Sequence, residues 1–224
     1  DFNISLMSKK SENIKEKIFN AYSTAVLEHE KEPKSVYLFC KELGVSEADF
    51  YQHFGSLNHV KEQIFCQFFD NAYGLISKGK DYATQSPKEK LLNFYFTFFE
   101  VLMLNRSYVL FVLADTGVNL QKLGVLKGLR NAFKEFVSGL IEEGNAVKQS
   151  RFSKHPEVFF SEGAWVQLLF LLKFWMDDDS PSFEKTDMAI EKSVRIVFDV
   201  FDNTPIDSIV DFGKFLWKEN TKTA

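Results

Sequence analysis

Helical periodicity runs through almost the whole of this 224-residue chain. Apolar residues recur every three or four positions, and no stretch alternates apolar and polar residues as a half-buried strand does. The dipeptides that favour hairpin turns, Asn-Gly and Asp-Gly, are also missing. The chain is therefore predicted to be all-α, with about ten helices.

Cap and breaker residues bound the predicted helices. Ser35 and Ser46 precede short helices, Gly44 ends the first of these in a left-handed conformation, and Ser86-Pro87 opens a longer helix. A shift in composition near residue 82 divides the chain into a helical unit over 9–80 and a larger helical body over 81–224. In chain order the predicted spans are about 9–30, 35–43, 46 onward, 57–80, 87–105, 107–115, 126–144, 156–177, 183–202 and 205–220.

Phenylalanine dominates the aromatic residues, with 25 Phe against 7 Tyr and 3 Trp. Phe buries a large area without a polar atom that needs a partner. These rings either fill a plain core or line an apolar cavity, and both interpretations stay open. The candidate cavity-lining residues are Phe94, Phe98, Phe111, Trp165 and Phe170.

The charge of the chain does not favour nucleic acid. The net charge is −4, and residues 1–70 carry 8 Lys, no Arg and 11 acidic residues. Arginine is the common bidentate reader of guanine, so its absence from the first 105 residues is a deficit for a DNA-binding protein.

Residue patterns for catalysis, metal binding or cofactor binding are absent from the sequence. The four His and two Cys lack metal-ligand spacing, and neither a phosphate-binding glycine loop nor a nucleophile elbow occurs. Asp177, Asp178 and Asp179 are predicted to be solvated charges in an exposed loop. Cys40 and Cys66 are predicted to be small apolar residues of a reducing, cytoplasmic compartment. The longest apolar run, 165–176, is too short for stable membrane insertion.

The segment 35–65 contains the order Gly44-Val45-Ser46, Phe50-Tyr51 and His53-Phe54. It resembles the N-terminal DNA-binding domain of TetR-family regulators. The resemblance implies a helix-turn-helix whose second helix enters the major groove. By position, the implied DNA-facing residues are Ser35, Val36, Tyr37, Glu47, Ala48, Tyr51, Gln52 and His53.

Two residues depart from that family's pattern. Asp49 replaces a small hydroxyl residue, and Leu57 replaces a lysine that grips phosphate. Glu47 and Asp49 either contact cytosine or repel the wrong DNA, or they only stabilise the start of their helix through its cap and dipole. The capping interpretation is favoured.

The segment 174–219 carries a second resemblance, through its aromatic residue before an acidic loop, "DSPSF..T", Arg195 and "D.TP…DF..FL". It resembles the C-terminal part of the mitochondrial lipid-binding protein of ubiquinone biosynthesis, which has a TetR-like fold. This implies that the helical body holds a lipid or isoprenoid-like molecule.

The function expected from these patterns is a TetR-like transcriptional regulator that has no enzymatic activity. It would bind operator DNA as a homodimer and respond to a hydrophobic small molecule in its C-terminal body. The strongly apolar helices 156–177 and 183–202 would form the dimer interface. The alternative is a lipid- or isoprenoid-binding protein that has kept the scaffold and lost DNA binding.

Overall fold

The structure is a computed structural model that describes residues 2–113, 122–146 and 157–203. Within these residues the regular structure is helical and no strand occurs, so the all-α prediction is confirmed. The tenth predicted helix, 205–220, lies outside the described residues. The helices within them are α1 (Phe2–His29), α2 (Val36–Leu43), α3 (Glu47–His53), α4 (Leu57–Ser77), α5 (Pro87–Met103), α6 (Arg106–Leu113), α7 (Lys127–Ala146), α8 (Glu157–Asp177) and α9 (Glu184–Asn203).

Two helix ends differ from the prediction. Helix α1 begins at Phe2, not near residue 9, because no glycine or proline interrupts the chain before Pro33. Helix α4 ends at Ser77, not near residue 80, and the Gly79 N–H then donates to the Ile76 carbonyl at 3.0 Å. The other predicted ends that the structure describes agree within about two residues, which is the usual uncertainty of helix boundaries.

The chain divides into two compact units that interleave along the sequence. The first unit contains Asp1–Ala72 and Phe98–Ala132, and the second contains Tyr73–Thr97 and Phe133–Ala224. Helices α4, α5 and α7 therefore contribute residues to both units. The predicted domain limits, 9–80 and 81–224, stay predictions.

Helix α1 is the centre of the first unit, where it packs on α2, α3 and α6. Apolar residues of α1 at helical spacing face inward, and Ile18, Tyr22 and Val26 are fully buried. Phe39 of α2 and Phe50 of α3 are also buried, and their ring centroids lie 6.3 Å apart. Aromatic packing therefore joins α1, α2 and α3 into one body.

The second unit is built around a cluster of aromatic rings. The Phe133 ring lies 5.6 Å from Phe94, 5.9 Å from Tyr95 and 6.5 Å from Trp165, measured between centroids. Helix α8 packs on α9 in this unit. Lys90 is 6% exposed, and its ammonium group binds the Glu143 carboxylate at 2.7 and 2.8 Å, so the charge of this buried lysine is compensated.

Asp178 corrects the sequence-based prediction of three solvated acids after α8. Asp177 and Asp179 are exposed, but Asp178 is only 6% exposed. Its Oδ1 atom accepts hydrogen bonds from the Ser180 N–H and Oγ at 2.9 and 2.6 Å. Its Oδ2 atom accepts from the Thr186 N–H and Oγ at 2.9 and 2.7 Å. Four donors replace water, and this is why the carboxylate can be buried.

The Asp178 hydrogen bonds hold a strained loop against the first turn of α9. Ser182 and Phe183 both have left-handed backbone conformations, with φ of 53° and 58°, which residues other than glycine rarely adopt. The Phe183 ring packs on Trp175, with 6.0 Å between centroids. Burial alone would raise the pKa of Asp178, but the hydrogen bonds from Ser180 and Thr186 outweigh it and hold the pKa below its usual range.

Cys66 and Gly128 make a close contact within the first unit. Both cysteines are free thiols, and Cys66 is half-buried on α4. Burial, followed by the charges of Glu62 and Asp70, raises the pKa of Cys66 to about 11. A Cβ atom at Gly128 in α7 would fall on the Cys66 Sγ atom, so a glycine is needed there for lack of space.

Replacing Gly128 with alanine is expected to lower the free energy of unfolding by about 1–3 kcal/mol, the usual cost of overpacking. The double variant Cys66→Ala, Gly128→Ala should recover most of this loss, because it removes the obstructing sulfur. Gly139→Ala on the same helix is the control: its Cβ would meet nothing within 4 Å. Urea unfolding measures all three, and a fully stable Gly128→Ala single variant would contradict the contact.

Replacing Asp178 with alanine is expected to lower the free energy of unfolding by about 2–3 kcal/mol at pH 7, since the buried Thr186 and Ser180 donors lose their acceptor. Asp178→Asn keeps one acceptor oxygen and should lose less. Asp177→Ala is the exposed control, expected to change stability by less than about 0.5 kcal/mol. An Asp178→Ala variant as stable as that control would contradict the proposed role.

The contribution of Asp178 to the free energy of unfolding is expected to depend on pH. The folded-state pKa of Asp178 is lowered, so its stabilisation is complete above the ordinary carboxyl pKa of about 4. As the pH falls below that value, the unfolded chain binds the proton first and the stabilisation is lost. The difference in stability between the natural chain and Asp178→Ala should therefore shrink below about pH 4.

Candidate functional site

The turn between α2 and α3 has the geometry that its glycine predicts. Gly44 has φ 68° and ψ 37°, and its N–H points back to the carbonyls of Cys40 and Lys41. A Cβ at Gly44 would meet no atom within 4 Å, so glycine is needed for the left-handed backbone conformation and not for space. The left-handed end predicted for α2 is confirmed.

Ser46 and Asp49 cap the start of α3. The Asp49 N–H donates to Ser46 Oγ at 3.0 Å, and Ser46 Oγ donates to the Asp49 carboxylate at 2.6 Å. The Asp49 carboxylate is thus engaged within its own helix. Glu47, in the same first turn, is exposed, and its negative charge interacts favourably with the positive N-terminal end of the helix dipole.

Two buried rings decide which side of α3 faces outward. Phe50 is fully buried and Phe54 is 2% exposed, and their centroids lie 5.8 Å apart. The Phe54 ring also packs on Phe19 of α1 at 5.3 Å. Of the three residues between these anchors, Tyr51 and Gln52 are exposed and His53 is half-buried.

The structure places the eight predicted DNA-facing residues on the α2–α3 pair, with different degrees of exposure. Ser35, Val36 and His53 are half-buried, and Ser35 Oγ accepts the Leu38 N–H at 3.3 Å as the cap of α2. The exposed members are Tyr37, Glu47, Ala48, Tyr51 and Gln52.

Sequence reasoning did not include the exposed residues between α3 and α4. Gly55 and Ser56 are exposed there, and so is Asn58 in the first turn of α4. Ser56 Oγ accepts the His59 N–H at 3.0 Å, and His59 Nδ1 accepts the Gly55 N–H at 3.2 Å. The usual sign of such a cap is an acid three residues on, whereas here the residue is His59. The predicted start of this helix at residue 57 is nonetheless confirmed.

Acidic residues offset the basic residues around this surface. Residues 30–61 contain four lysines and five acids. Lys61 is half-buried and binds Glu32 at 2.8 Å, which removes much of its field from the surface. Lys31, Lys34 and Lys41 are exposed. Between residues 30 and 61, the surface therefore offers a few separate cations and no continuous basic patch.

The predicted cavity-lining residues have different environments. In the second unit, Phe94 and Trp165 both pack on Phe133, whereas Phe170 is 56% exposed and packs on Phe174 at 6.2 Å. In the first unit, Phe98 is fully buried and Phe111 is half-buried. The structure thus brings Phe94 and Trp165 around one ring, and the ligand-lining role of all five residues stays a prediction.

A chain of buried polar side chains crosses the aromatic core of the second unit. The hydroxyl of Tyr95 donates to Gln167 Oε1 at 3.2 Å, and Gln167 Nε2 donates to Ser193 Oγ at 2.9 Å. Burial raises the pKa of Tyr95, so its hydroxyl stays protonated. These bonds join α5, α8 and α9 and fix their relative positions, because breaking either one would leave an atom of the buried Gln167 amide without that partner.

Helices α8 and α9 leave an apolar stripe exposed in the single chain. On α8 the stripe follows helical spacing through Phe159, Val166 and Phe170, which are 47–64% exposed. On α9 it includes Met188 and Ile196, which are 50% and 62% exposed. Exposed apolar residues grouped in this way are typical of a surface that another molecule covers.

Helix α8 is long and apolar enough, by length and composition, to cross a membrane. Half of its most apolar stretch, however, is buried inside the structure. The core helix of a globular protein has the same properties. Among the described residues no group of three or more His, Cys, Asp or Glu is arranged to hold a metal ion.

Comparison with known families decides where this helical chain belongs. The family model described as the tetracyclin repressor-like C-terminal domain matches residues 90–216, more than half of the chain. The chain belongs to the TetR family. This confirms the family suggested by the segment 35–65, and it does so from a different part of the sequence.

A solved structure of a TetR-family protein shares the fold. A protein from Syntrophomonas wolfei, described as a TetR-family transcriptional regulator, aligns with a TM-score of 0.63 at 17% identity and covers 86% of this chain and 97% of its own. The fatty acid degradation regulator FadR from Bacillus halodurans aligns with a TM-score of 0.48 at 17% identity, over 84% and 98% of the two chains. No curated protein sequence matches the chain.

Proposed function

We propose that the chain is a transcriptional regulator that binds operator DNA as a homodimer and responds to a hydrophobic small molecule. The observation that carries this proposal is the geometry of α2 and α3. Gly44 forms the turn, Phe50 and Phe54 anchor the second helix, and Tyr51 and Gln52 project from its outer side. This is the arrangement with which a helix-turn-helix presents side chains to the major groove.

Three exposed residues of this surface have a chemical role in the proposal. Gln52 has an amide that can bind adenine in a bidentate manner, and Tyr37 and Tyr51 have hydroxyls that can donate to phosphate oxygens. Asp49 is occupied by its cap with Ser46, so it contributes helix stability and no base contact. Few phosphate contacts are expected from so few lysines, and affinity should therefore be modest at physiological salt.

The apolar stripe on α8 and α9 supports the homodimer. Two copies of the stripe would bury Val166, Phe170 and Ile196 against each other in a symmetric four-helix interface. Gly163 is exposed on the same side of α8, and a Cβ there would meet nothing within 4 Å. This glycine would allow a close approach of the partner helix.

Ligand response is the third part of the proposal. The aromatic cluster around Phe133, which includes Phe94 and Trp165, is the region of the second unit suited to an apolar guest. A ligand affects DNA binding only if it binds more tightly to one of two arrangements of the dimer. The buried chain from Tyr95 to Ser193 is a suitable sensor, because displacing Gln167 would break bonds to two other helices.

The alternative function is lipid or isoprenoid binding without DNA binding. It is favoured by the acidic first 70 residues, by Leu57 at the position of a phosphate-gripping lysine, and by the resemblance of 174–219 to a lipid-binding protein. Leu57 is the first residue of α4 and is half-buried, which suits packing better than a phosphate contact.

DNA binding separates the two functions. Fluorescence anisotropy of the purified protein with its own upstream intergenic DNA should show tighter binding than with scrambled DNA, and a slope of log affinity against log salt of about 0.9 per phosphate contact. Gln52→Ala should weaken specific binding by about 1–3 kcal/mol, while leaving binding to scrambled DNA nearly unchanged. Asn131→Ala, at an exposed position on α7, is the control. Absence of specific binding even at low salt, with and without extracted ligand, would favour the lipid-binding alternative.

Substitutions that introduce charge on the apolar stripe test the dimer. The double variant Val166→Asp, Phe170→Asp should be a monomer by light scattering at micromolar concentration, because two carboxylates would lose water on association. Leu75→Asp is the matched control, since Leu75 is an exposed apolar residue on α4 at 63% exposure. A natural chain that is itself monomeric at this concentration would contradict the homodimer.

A further inference from the structure

Two buried tyrosine hydroxyls of the first unit have no hydrogen-bond partner. Tyr22 of α1 is fully buried, Tyr108 of α6 is 2% exposed, and α1 packs on α6. Among the described residues, neither hydroxyl meets a donor or acceptor. Buried tyrosine hydroxyls are normally paired, so two unpaired ones on adjoining helices call for a specific explanation.

The surroundings of the two hydroxyls are mainly aromatic. The Tyr22 ring packs on Phe39 at 6.0 Å, and the Tyr108 ring packs on Phe65 and Phe68 at 6.4 and 6.5 Å. These rings offer no strong acceptor, so the hydroxyls cannot be satisfied by a small change of rotamer toward them. The free energy of the unpaired groups would be lowered by any molecule that brings an oxygen between them.

The two hydroxyls belong to helices that pack on each other, and both stay protonated. Burial is the main reason that the pKa of each is raised, and the Tyr22 hydroxyl also raises the pKa of Tyr108. Glu32 raises the pKa of both through its negative charge. Each phenol can therefore donate one hydrogen bond and accept another at neutral pH.

A groove on the surface of the first unit shares a wall residue with the surroundings of Tyr22. It has a volume of about 320 Å³, with apolar lining from Ala25, Pro33, Leu38 and Phe39 and polar or charged lining from His29, Lys31, Glu32, Lys34 and Glu42. Phe39 belongs both to the groove wall and to the surroundings of Tyr22. Glu32, which acts on both hydroxyls, lies on the same wall and is bound to Lys61.

We propose that Tyr22 and Tyr108 form a binding site for one neutral oxygen atom, supplied by a water molecule or by the hydroxyl or carbonyl end of a small apolar molecule that enters along the groove. A single oxygen can accept from one phenol and, if it carries a proton, donate to the other. A carboxylate is disfavoured, because both hydroxyls are buried beside aromatic rings and an ion there would lose its water. The site belongs to the unit that carries α2 and α3, and it is separate from the aromatic cluster around Phe133.

The first arm of the test measures coupling between the two hydroxyls by urea unfolding of the full chain. Tyr22→Phe and Tyr108→Phe should each lower the unfolding midpoint, because each leaves the bound oxygen one partner short. The double variant should lose clearly less than the sum of the two, since the oxygen is then no longer held. Tyr95→Phe is the matched buried control: it has a direct partner in Gln167, and combined with Tyr22→Phe it should be additive.

The second arm identifies the source of the oxygen. The chain is labelled with 3-fluorotyrosine, the ¹⁹F signals are assigned with the same phenylalanine variants, and 1-hexanol and hexanoate are titrated in turn. Saturable shifts of the Tyr22 and Tyr108 signals with hexanol, and none with hexanoate, would support a site for an apolar alcohol or carbonyl. Non-additive stabilities without a hexanol shift would support a bound water. Additive stabilities without any shift would overturn the proposal.

Discussion

Contact between aromatic rings is the interaction on which the helix-turn-helix depends. Tyr22 of α1 packs on Phe39 of α2, Phe39 on Phe50 of α3, and Phe50 on Phe54, which returns to Phe19 of α1. Helices α2 and α3 have only eight and seven residues, too few to be stable alone. The buried rings compensate for this, and they also determine that Tyr51 and Gln52 face outward. If these contacts were lost, the presented surface would be lost with them.

Buried polar groups are few in the described part of the chain, and most of them connect helices. Asp178 fastens the loop after α8 to the start of α9, Tyr95 and Gln167 join α5 to α8, and Lys90 reaches Glu143 of α7. Apolar packing is tolerant of sliding, whereas a buried hydrogen bond is formed only at one relative position. These bonds therefore fix the relative positions of the helices around a phenylalanine-rich interior. Tyr22 and Tyr108 are the exception, and this is why their environment points to a bound oxygen.

The charge of the α2–α3 surface limits the affinity expected from the proposed DNA binding. The α2–α3 pair has the geometry of a helix-turn-helix, but its surface carries acids beside its lysines. One of those lysines, Lys61, is paired with Glu32. The shape of this surface thus favours DNA binding, whereas its charge does not. A regulator built in this way would depend on base contacts and on the second copy of the dimer more than on attraction to phosphate.

The sequence by itself determined the features that depend on local backbone chemistry. Helical periodicity predicted the class, Gly44 predicted the left-handed turn, and Ser46 with Asp49 and Ser86 with Glu89 predicted caps that the structure contains. Only the tertiary structure decided which of several equivalent residues is buried. Asp178 resembles Asp177 and Asp179 in sequence, yet it alone of the three meets four donors, from Ser180 and Thr186. Likewise Phe94 and Phe170 are indistinguishable as letters, but one is enclosed and the other is exposed. The reason is physical: caps and turns depend on neighbours within four residues, whereas burial depends on which helices meet.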